Sequence, residues 1–202
     1  MIQSKRFWED FASNAHQWSD SLRLGQTRGV FQDINTLLEQ HGFSFSFDLT
    51  SDECDGILAF TPEGDAEVAE QIDNLVAFAP DLPGWKVYGR RQRKALDDVY
   101  AIIRRLFLVD VANSKFQLAR RTTQPDVVMF ASTATKLTDE EQAALVSTFL
   151  DHAMGEELVM TMGVHSKLVA SDPPRDLHVL SASEMVTALL EAQTRRKDRT
   201  GN

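Results

Sequence analysis

Apolar residues in the first forty positions recur every three or four residues, the period of a helix with one buried face. Thr27 is placed to cap the second of two such stripes, and Gly42 to end it. The first stripe consists of Phe7, Trp8, Phe11, Ala15 and Trp18, and the second of Val30, Phe31, Ile34, Leu37 and Leu38. The pattern predicts two N-terminal helices within residues 4–41.

The period changes to two after residue 42. Apolar residues at 43, 45, 47 and 49 alternate with polar ones, which is typical of a half-buried strand, and residues 56–60 are suited to be its hairpin partner. Asp65 is placed to cap a following helix that ends before Pro80. Residues 85–88 then predict a third strand.

The second half of the chain follows a similar order. After a helix predicted near residues 96–103, strands are expected around 116–118 and 126–131, and the apolar run 158–162 is predicted to be a strand. Thr138 with Glu141, and Ser181 with Glu184, have the spacing of capping boxes that start two helices. From Thr194 the chain is polar and basic, so we expect a frayed end.

The order strand, strand, helix, strand thus occurs twice, at an offset of 70 to 73 residues. The matched positions are Phe60 with Phe130, Ile72 with Leu145, and Trp85 with Leu158. Because strand–helix alternation is common, a structural duplication and a chance similarity both fit. We predict an α+β fold, with a mixed or antiparallel sheet packed by helices. The expected domain is 1–193, with halves at about 43–90 and 115–163 and a disordered tail at 194–202.

The composition excludes several classes of protein. The net charge of −9 argues against a polycationic nucleic-acid coat, and the single cysteine excludes an intramolecular disulfide framework. Cys54 lies among carboxylates that would disfavour a thiolate, so we expect no nucleophilic role for it. The sequence shows no secretory signal and no apolar run long enough to cross a bilayer, which predicts a cytoplasmic protein without membrane contact.

No local motif indicates a mechanism. Phosphate-binding glycine loops, nucleophile elbows and paired zinc-ligand signatures are all missing from the sequence. A metal site built from His152, His165 and Glu156 is conceivable, but we expect surface or capping histidines instead, and no metal or cofactor. The acidic turn near residues 48–55 lacks the spacing of a calcium loop and is interpreted as a solvated turn.

One basic island interrupts the acidic chain. Residues 91–121 carry a net charge of +5, whereas residues 1–90 carry −9 and residues 122–184 carry −7. The arginine cluster, which we define as Arg90, Arg91, Arg93 and Lys94, follows the third strand; Arg104, Arg105, Arg120 and Arg121 come later. Arginines at a strand end suit bidentate binding of carboxylates or phosphates, and local ion pairing is the alternative.

Two stretches, 75–87 and 149–160, resemble a family of bacterial cytosolic α+β proteins of unknown function. The second contains Asp151 and His152 within a Leu-Asp-His-Ala-Met-Gly-Glu run, where Met154 replaces the usual leucine. The resemblance implies an α+β fold and a bacterial origin, and it implies no activity, cofactor or catalytic residue. Asp151 and His152 either bind a ligand at a helix-to-strand turn or complete the end of the helix.

Two functions remain open from the sequence. The first is a non-enzymatic cytosolic interaction or regulatory module that contacts an acidic protein partner through the basic island, with nucleic acid a weaker candidate. The second is a small-molecule binding protein or enzyme with a pocket between the two halves, near Asp151 and His152. The first interpretation is preferred, because the island is the sharpest feature and no catalytic motif accompanies it.

Overall fold

The computed structural model describes residues 2–52, 55–121 and 124–200. The side chains of 120, 121 and 197–200 are outside the description. The chain divides into two compact units, Met1–Arg91 (unit 1) and Gln92–Asn202 (unit 2). Each unit contains one three-stranded mixed sheet covered by helices, which confirms the predicted α+β fold.

Unit 1 begins with two helices, α1 (Ile2–Arg23) and α2 (Thr27–Gln40). Strands β1 (Ser46–Ser51) and β2 (Gly56–Thr61) form an antiparallel hairpin. Helix α3 (Ala66–Val76) then leads to β3 (Trp85–Tyr88), which pairs with β2 in parallel. The resulting strand order is β1-β2-β3, with β1 and β3 at the edges.

Unit 2 opens with α4 (Leu96–Phe107), followed by the antiparallel strands β4 (Lys115–Arg121) and β5 (Gln124–Phe130). A 3₁₀ turn (Ser132–Ala134), α5 (Asp139–Met154) and α6 (Glu156–Met162) connect β5 to its parallel neighbour β6 (His165–Val169). Helix α7 (Ala182–Thr200) ends the described chain. The strand order β4-β5-β6 reproduces that of unit 1.

Three helix starts follow the sequence signals, whereas the predicted Thr27 cap is wrong, because α2 begins at Thr27 and Gln26 at its N-cap makes no side-chain capping hydrogen bond. The Asp65 side chain accepts hydrogen bonds from the backbone N–H groups of Glu67 and Val68, at 2.8 and 3.1 Å, and caps α3. Thr138 and Glu141 form the predicted capping box of α5. Ser181 and Glu184 form the other box, ahead of α7. These side chains satisfy N–H groups that the first helical turn leaves without a backbone acceptor.

The predicted strand at 158–162 is wrong, because these residues belong to helix α6. Gly155 (φ 86°) separates α5 from α6, and Gly163 (φ 62°) ends α6 in the left-handed conformation. Glu156 and Glu157 lie in the first turn of α6, where carboxylates suit the helix dipole. A short, mainly apolar run is compatible with either structure, and its glycine boundaries favour the helix here. The third strand of unit 2 is therefore β6.

The repeat is real as topology, but its alignment differs from the predicted one. The pair Phe47–Phe60 in the first hairpin corresponds to Phe116–Met129 in the second, and Leu49–Leu58 corresponds to Leu118–Val127. Helix α6 is an insertion that unit 1 lacks, which moves the third strand of unit 2 beyond Leu158. The end of the chain also differs from expectation, since α7 continues through Thr200.

The two cores differ in chemistry. The core of unit 1 is rich in buried aromatic rings: Phe7, Trp8, Phe11, Trp18, Phe45, Phe47, Phe60 and Trp85. The core cluster of unit 2 is mainly aliphatic and methionine, with Phe116 and Phe149 as its buried rings. No helix among the described residues is both long and apolar enough to cross a membrane.

Candidate functional site

The arginine cluster does not form a continuous basic patch. Arg90 is 8% exposed, and its two terminal nitrogens each lie 3.0 Å from an oxygen of the Asp73 carboxylate. This bidentate pair ties the end of β3 to α3. Gly89, just before it, faces the side chains of Ile72 and Asp73 on the same helix. Arg90 therefore has a structural role within unit 1.

Arg91 is also engaged by carboxylates. Its Nε lies 3.3 Å from Oδ2 of Asp48, and its Nη2 lies 3.9 Å from Oε1 of Glu63. Only 16% of its side chain is exposed. Arg93 is exposed and Lys94 is half-buried. Of the four predicted residues, Arg93 is thus the one presented to solvent, and the side chains of Arg120 and Arg121 lie outside the described residues.

Lys86, on the third strand of unit 1, is also paired with carboxylates. Lys86 Nζ lies 2.7 Å from Asp52 and 3.1 Å from Asp55. The hydrogen bonds that the Lys86 ammonium group donates to these two carboxylates hold its pKa well above the usual value of 10.5. Cys54, which the sequence places in this same turn, lies outside the described residues, as does Glu53.

Asp151 and His152 occupy the buried end of α5. They are 8% and 4% exposed, and Glu156, at the start of α6, is 1% exposed. The His152 carbonyl accepts a 2.8 Å hydrogen bond from the backbone N–H of Lys94, and the Asp151 carbonyl accepts one from Gly155. These bonds give backbone donors to two carbonyls at the end of the helix, and the role of the two side chains stays a prediction.

The metal interpretation of these residues is not supported by their positions. Within the described residues, no group of three His, Cys, Asp or Glu side chains is arranged to hold a metal ion. His165 lies on β6, where its Nε2 is 2.8 Å from Oε1 of Gln124. The predicted His152, His165 and Glu156 trio is therefore not brought together.

A groove of about 430 Å³ lies in unit 1 between α2 and the start of β1. We call it the α2–β1 groove. Its lining consists of Phe31, Asn35, Leu38, Glu39, Phe43, Ser44, Phe45, Ser46, Phe47, Glu63 and Arg91. It combines aromatic rings, hydroxyls and charges of both signs. This mixture is typical of a surface that fixes a ligand by shape and by a few polar contacts.

Phe31 is the most conspicuous residue of the groove. Its ring stacks on Phe47 with centroids 4.5 Å apart, yet the residue is 41% exposed. The helical pattern placed Phe31 in the apolar stripe of α2, whereas Val30 and Ile34 form the buried face and Phe31 lies at its margin. The signal available in the sequence was that Phe31 directly follows Val30, so the two side chains diverge by about 100° around the helix.

The acidic residues at the rim are held in defined positions. Glu39 accepts a 2.7 Å hydrogen bond from the Asn35 amide, one helical turn away. Glu63 adopts a left-handed backbone (φ 51°) beside Gly64 (φ 83°) in the turn after β2. Its N–H donates to the hydroxyl of Thr61 at 3.2 Å. Together with Asp48, these residues give the groove and its border three carboxylates against the one guanidinium of Arg91.

A second groove, of about 400 Å³, crosses the outer face of the sheet in unit 2. It is lined by Asp126, His165 and Lys167 together with Ala119, Val127, Val128 and Ser166. It contains His165 but neither the arginine cluster nor Asp151 and His152, and no phenylalanine, tyrosine or tryptophan lines it. The α2–β1 groove, which contains Arg91, is therefore the better candidate.

No family model, curated protein or solved structure matches this chain. The resemblance to a bacterial family of unknown function stays a prediction, carried by the stretches 75–87 and 149–160.

Proposed function

We propose that the chain is a non-enzymatic protein-interaction module that binds a partner protein in the α2–β1 groove. The observation that carries the proposal is the half-exposed Phe31 ring stacked on Phe47 at the wall of a 430 Å³ groove. Exposed aromatic rings are enriched among residues that dominate binding energy, because they bury a large area at little cost in side-chain entropy.

The proposal moves the binding surface away from the arginine cluster. Ion pairs with Asp73 and Asp48 engage Arg90 and Arg91, which supports a role in holding the fold. The prediction of an acidic partner is supported by Arg93, which is exposed, and by Lys94, which is half-buried. We further propose a cytoplasmic location and a bacterial origin, on the sequence features and the family resemblance given above.

The experiment starts from a displayed library of random twelve-residue peptides selected on the wild-type protein. Recovered peptides are titrated against F31S and against L24S as a matched control. Leu24 is also an exposed apolar residue of unit 1, at 76%, but it does not line the groove. We expect at least a tenfold loss of affinity for F31S and wild-type affinity for L24S, with circular dichroism unchanged in both.

Two results would contradict the proposed function. One is recovery of peptides that bind F31S as tightly as the wild type, or that shift NMR signals only outside the groove. The other is failure to recover any peptide above background over repeated selections.

A further inference from the structure

We infer that the partner binds the α2–β1 groove as an added β-strand: a basic, extended segment with a central bulky aliphatic residue pairs with the open edge of β1. This inference rests on the proposed function and names its ligand class. Unit 2 supplies the template, because its own chain occupies the equivalent edge.

The template is the contact between Phe116 on β4 and Leu180, just before α7. The two residues form an antiparallel bridge outside the named strands. The Phe116 N–H donates to the Leu180 carbonyl at 2.8 Å, and the Leu180 N–H donates to the Phe116 carbonyl at 2.7 Å. Leu180 also packs against the core of unit 2. A short extended segment with one aliphatic residue therefore covers the edge of this sheet.

Phe47 is the counterpart of Phe116 in unit 1. Phe47 pairs with Phe60 as Phe116 pairs with Met129, and both phenylalanines face the core side of their sheets. The helices that connect the parallel strands pack on that same side, with Ile72 of α3 and Leu145 of α5 in the respective cores. Since such crossovers are right-handed, the two sheets have the same hand.

The shared hand fixes the direction of the peptide groups. Backbone groups of successive residues alternate between the two sides of a strand, just as side chains alternate between the two faces. Phe116 directs its N–H and C=O away from β5, toward Leu180. Phe47 accordingly directs its N–H and C=O away from β2, toward the open edge. Among the described residues no bridge pairs with this edge of β1, and Ser46 and Thr50 beside it are exposed.

The groove supplies the site for the aliphatic side chain. Phe31, Leu38 and Phe47 line it next to the strand edge. In strand addition the backbone hydrogen bonds contribute affinity, and pockets for alternate side chains contribute specificity. A leucine paired with Phe47 would extend along these apolar residues, as Leu180 does on the core of unit 2.

Charge complementarity selects a basic segment. Glu39 and Glu63 line the groove, and Asp48 lies 3.3 Å from Arg91, so the groove and its border carry three carboxylates against one guanidinium. Unit 1 as a whole contains seven Lys and Arg against fifteen Asp and Glu. Lysines or arginines beside the central aliphatic residue would meet this negative potential and speed association at low salt.

The test uses a synthetic peptide, Lys-Lys-His-Val-Leu-Ser-Lys-Lys, which copies residues 178–181 and adds basic flanks. Three further peptides are compared by fluorescence anisotropy on the full chain. One carries glutamate flanks, one an N-methyl group on the leucine, and one an N-methyl group on the preceding valine. The leucine N–H is the donor to Phe47, whereas the valine N–H points to the opposite side, so the valine peptide is the matched control.

We expect the lysine-flanked peptide to bind, the glutamate-flanked peptide to bind at least tenfold more weakly, and N-methylation of leucine to cost at least tenfold. N-methylation of valine should leave affinity within about twofold. Amide hydrogen exchange should slow at Phe47 on binding and change less at Asp48, whose N–H points toward β2.

Other outcomes separate the two proposals. Equal binding of both N-methylated peptides, with F31S still impaired, would overturn strand addition and leave the groove function standing. Preference for the glutamate-flanked peptide would overturn the basic segment. If none of the peptide changes weakens binding, and F31S does not weaken it either, both strand addition and the groove function would be overturned. A concentration-dependent dimer in sedimentation, abolished by F31S, would identify a second copy of this chain as the occupant and overturn the partner segment.

Discussion

Units 1 and 2 contain the same mixed sheet, with an antiparallel hairpin and a parallel third strand. They differ in whether the outer edge of the first strand is covered and in the side chains that fill the core. In unit 2 the edge strand β4 is bridged by Leu180, and the core is mainly aliphatic. In unit 1 the corresponding edge of β1 borders a groove, and the core is densely aromatic. The two units can therefore be compared directly: the segment that covers the edge of β4 in unit 2 shows what the edge of β1 in unit 1 lacks.

The core of unit 1 is built from closely packed aromatic rings. Phe11 is fully buried, and its ring lies 5.0 to 6.0 Å from four other rings: Phe7, Trp8, Trp18 and Trp85. Trp8 and Trp85 also donate buried hydrogen bonds to the carbonyls of Leu75 and Ala15, at 2.8 Å each. Aromatic pairs in such edge-to-face geometry add to the energy of burial.

The largest expected effect is therefore that of F11A. We expect it to lower the free energy of unfolding by about 5 kcal/mol, the upper end for a buried phenylalanine, because it leaves a cavity among four rings. F149A in unit 2 should cost about 3 kcal/mol, since Phe149 contacts two rings, Phe116 and Tyr100.

Urea unfolding measures both variants, with circular dichroism as a probe of the whole chain. All three tryptophans, Trp8, Trp18 and Trp85, belong to unit 1, so their fluorescence follows that unit. A smaller loss for F11A than for F149A would contradict the view that ring packing distinguishes the two cores.

The next effect concerns the covered edge of unit 2. L180P removes the N–H that donates to the Phe116 carbonyl, which loses one hydrogen bond and leaves its acceptor without that donor. We expect a loss of about 2 kcal/mol. L180A keeps both backbone bonds and is the control for the side chain. Hydrogen exchange at Phe116 should quicken in L180P and not in L180A; equal exchange in the two variants would show that the bridge does not protect β4.

The equivalent crossover helices offer a finer comparison. Asp65 caps α3 through two backbone N–H groups, whereas Thr138 caps α5 through one, at 3.3 Å from Glu141. We expect D65A and T138A each to cost about 1 kcal/mol, with D65A the larger. Thermal unfolding measures both. S13A, on the exposed face of α1, is a control expected to change little. A larger cost for T138A would reverse the ranking.

The periodic elements could be predicted from the sequence because each follows from short-range physics. The hairpin, α3 with its Asp65 cap, the two capping boxes and the third strand at Trp85 all follow from local patterns. Helix α6 could not be identified that way, since a five-residue run with four apolar residues fits either structure. Its identity depends on the backbone conformations at Gly155 and Gly163.

The candidate site was less accessible from sequence for a different reason. The arginine cluster was conspicuous as a run of charge, but its role depends on carboxylates far away in the chain: Asp73 for Arg90, and Asp48 with Glu63 for Arg91. The groove likewise joins Phe31, Phe47 and Glu63 from three separate elements. Only Arg91 belongs to both the predicted cluster and the groove.

The smallest effect is a pH dependence confined to the covered edge. The backbone N–H and hydroxyl of Ser181 donate to Glu184 at 2.7 and 2.8 Å, and these bonds, aided by the charges of Lys115 and His178, hold the pKa of Glu184 below its ordinary 4.5. A carboxylate with a lowered pKa stabilises the fold above that ordinary value, and the contribution is lost as pH falls through the folded pKa. Ser181 directly follows Leu180, so acid should loosen the bridge on β4 and leave the aromatic core of unit 1 unaffected.

E184Q tests this linkage, because glutamine keeps an oxygen that can accept from Ser181 but does not titrate. Urea midpoints measured from pH 6 down to pH 3 should fall less steeply in E184Q than in the wild type, and the two curves should converge at the acid end. Parallel curves would show that Glu184 does not couple protonation to stability. Convergence accompanied by faster exchange at Phe116, but not at Leu58 in the core of unit 1, would localise the acid effect to the edge of β4 that Leu180 covers.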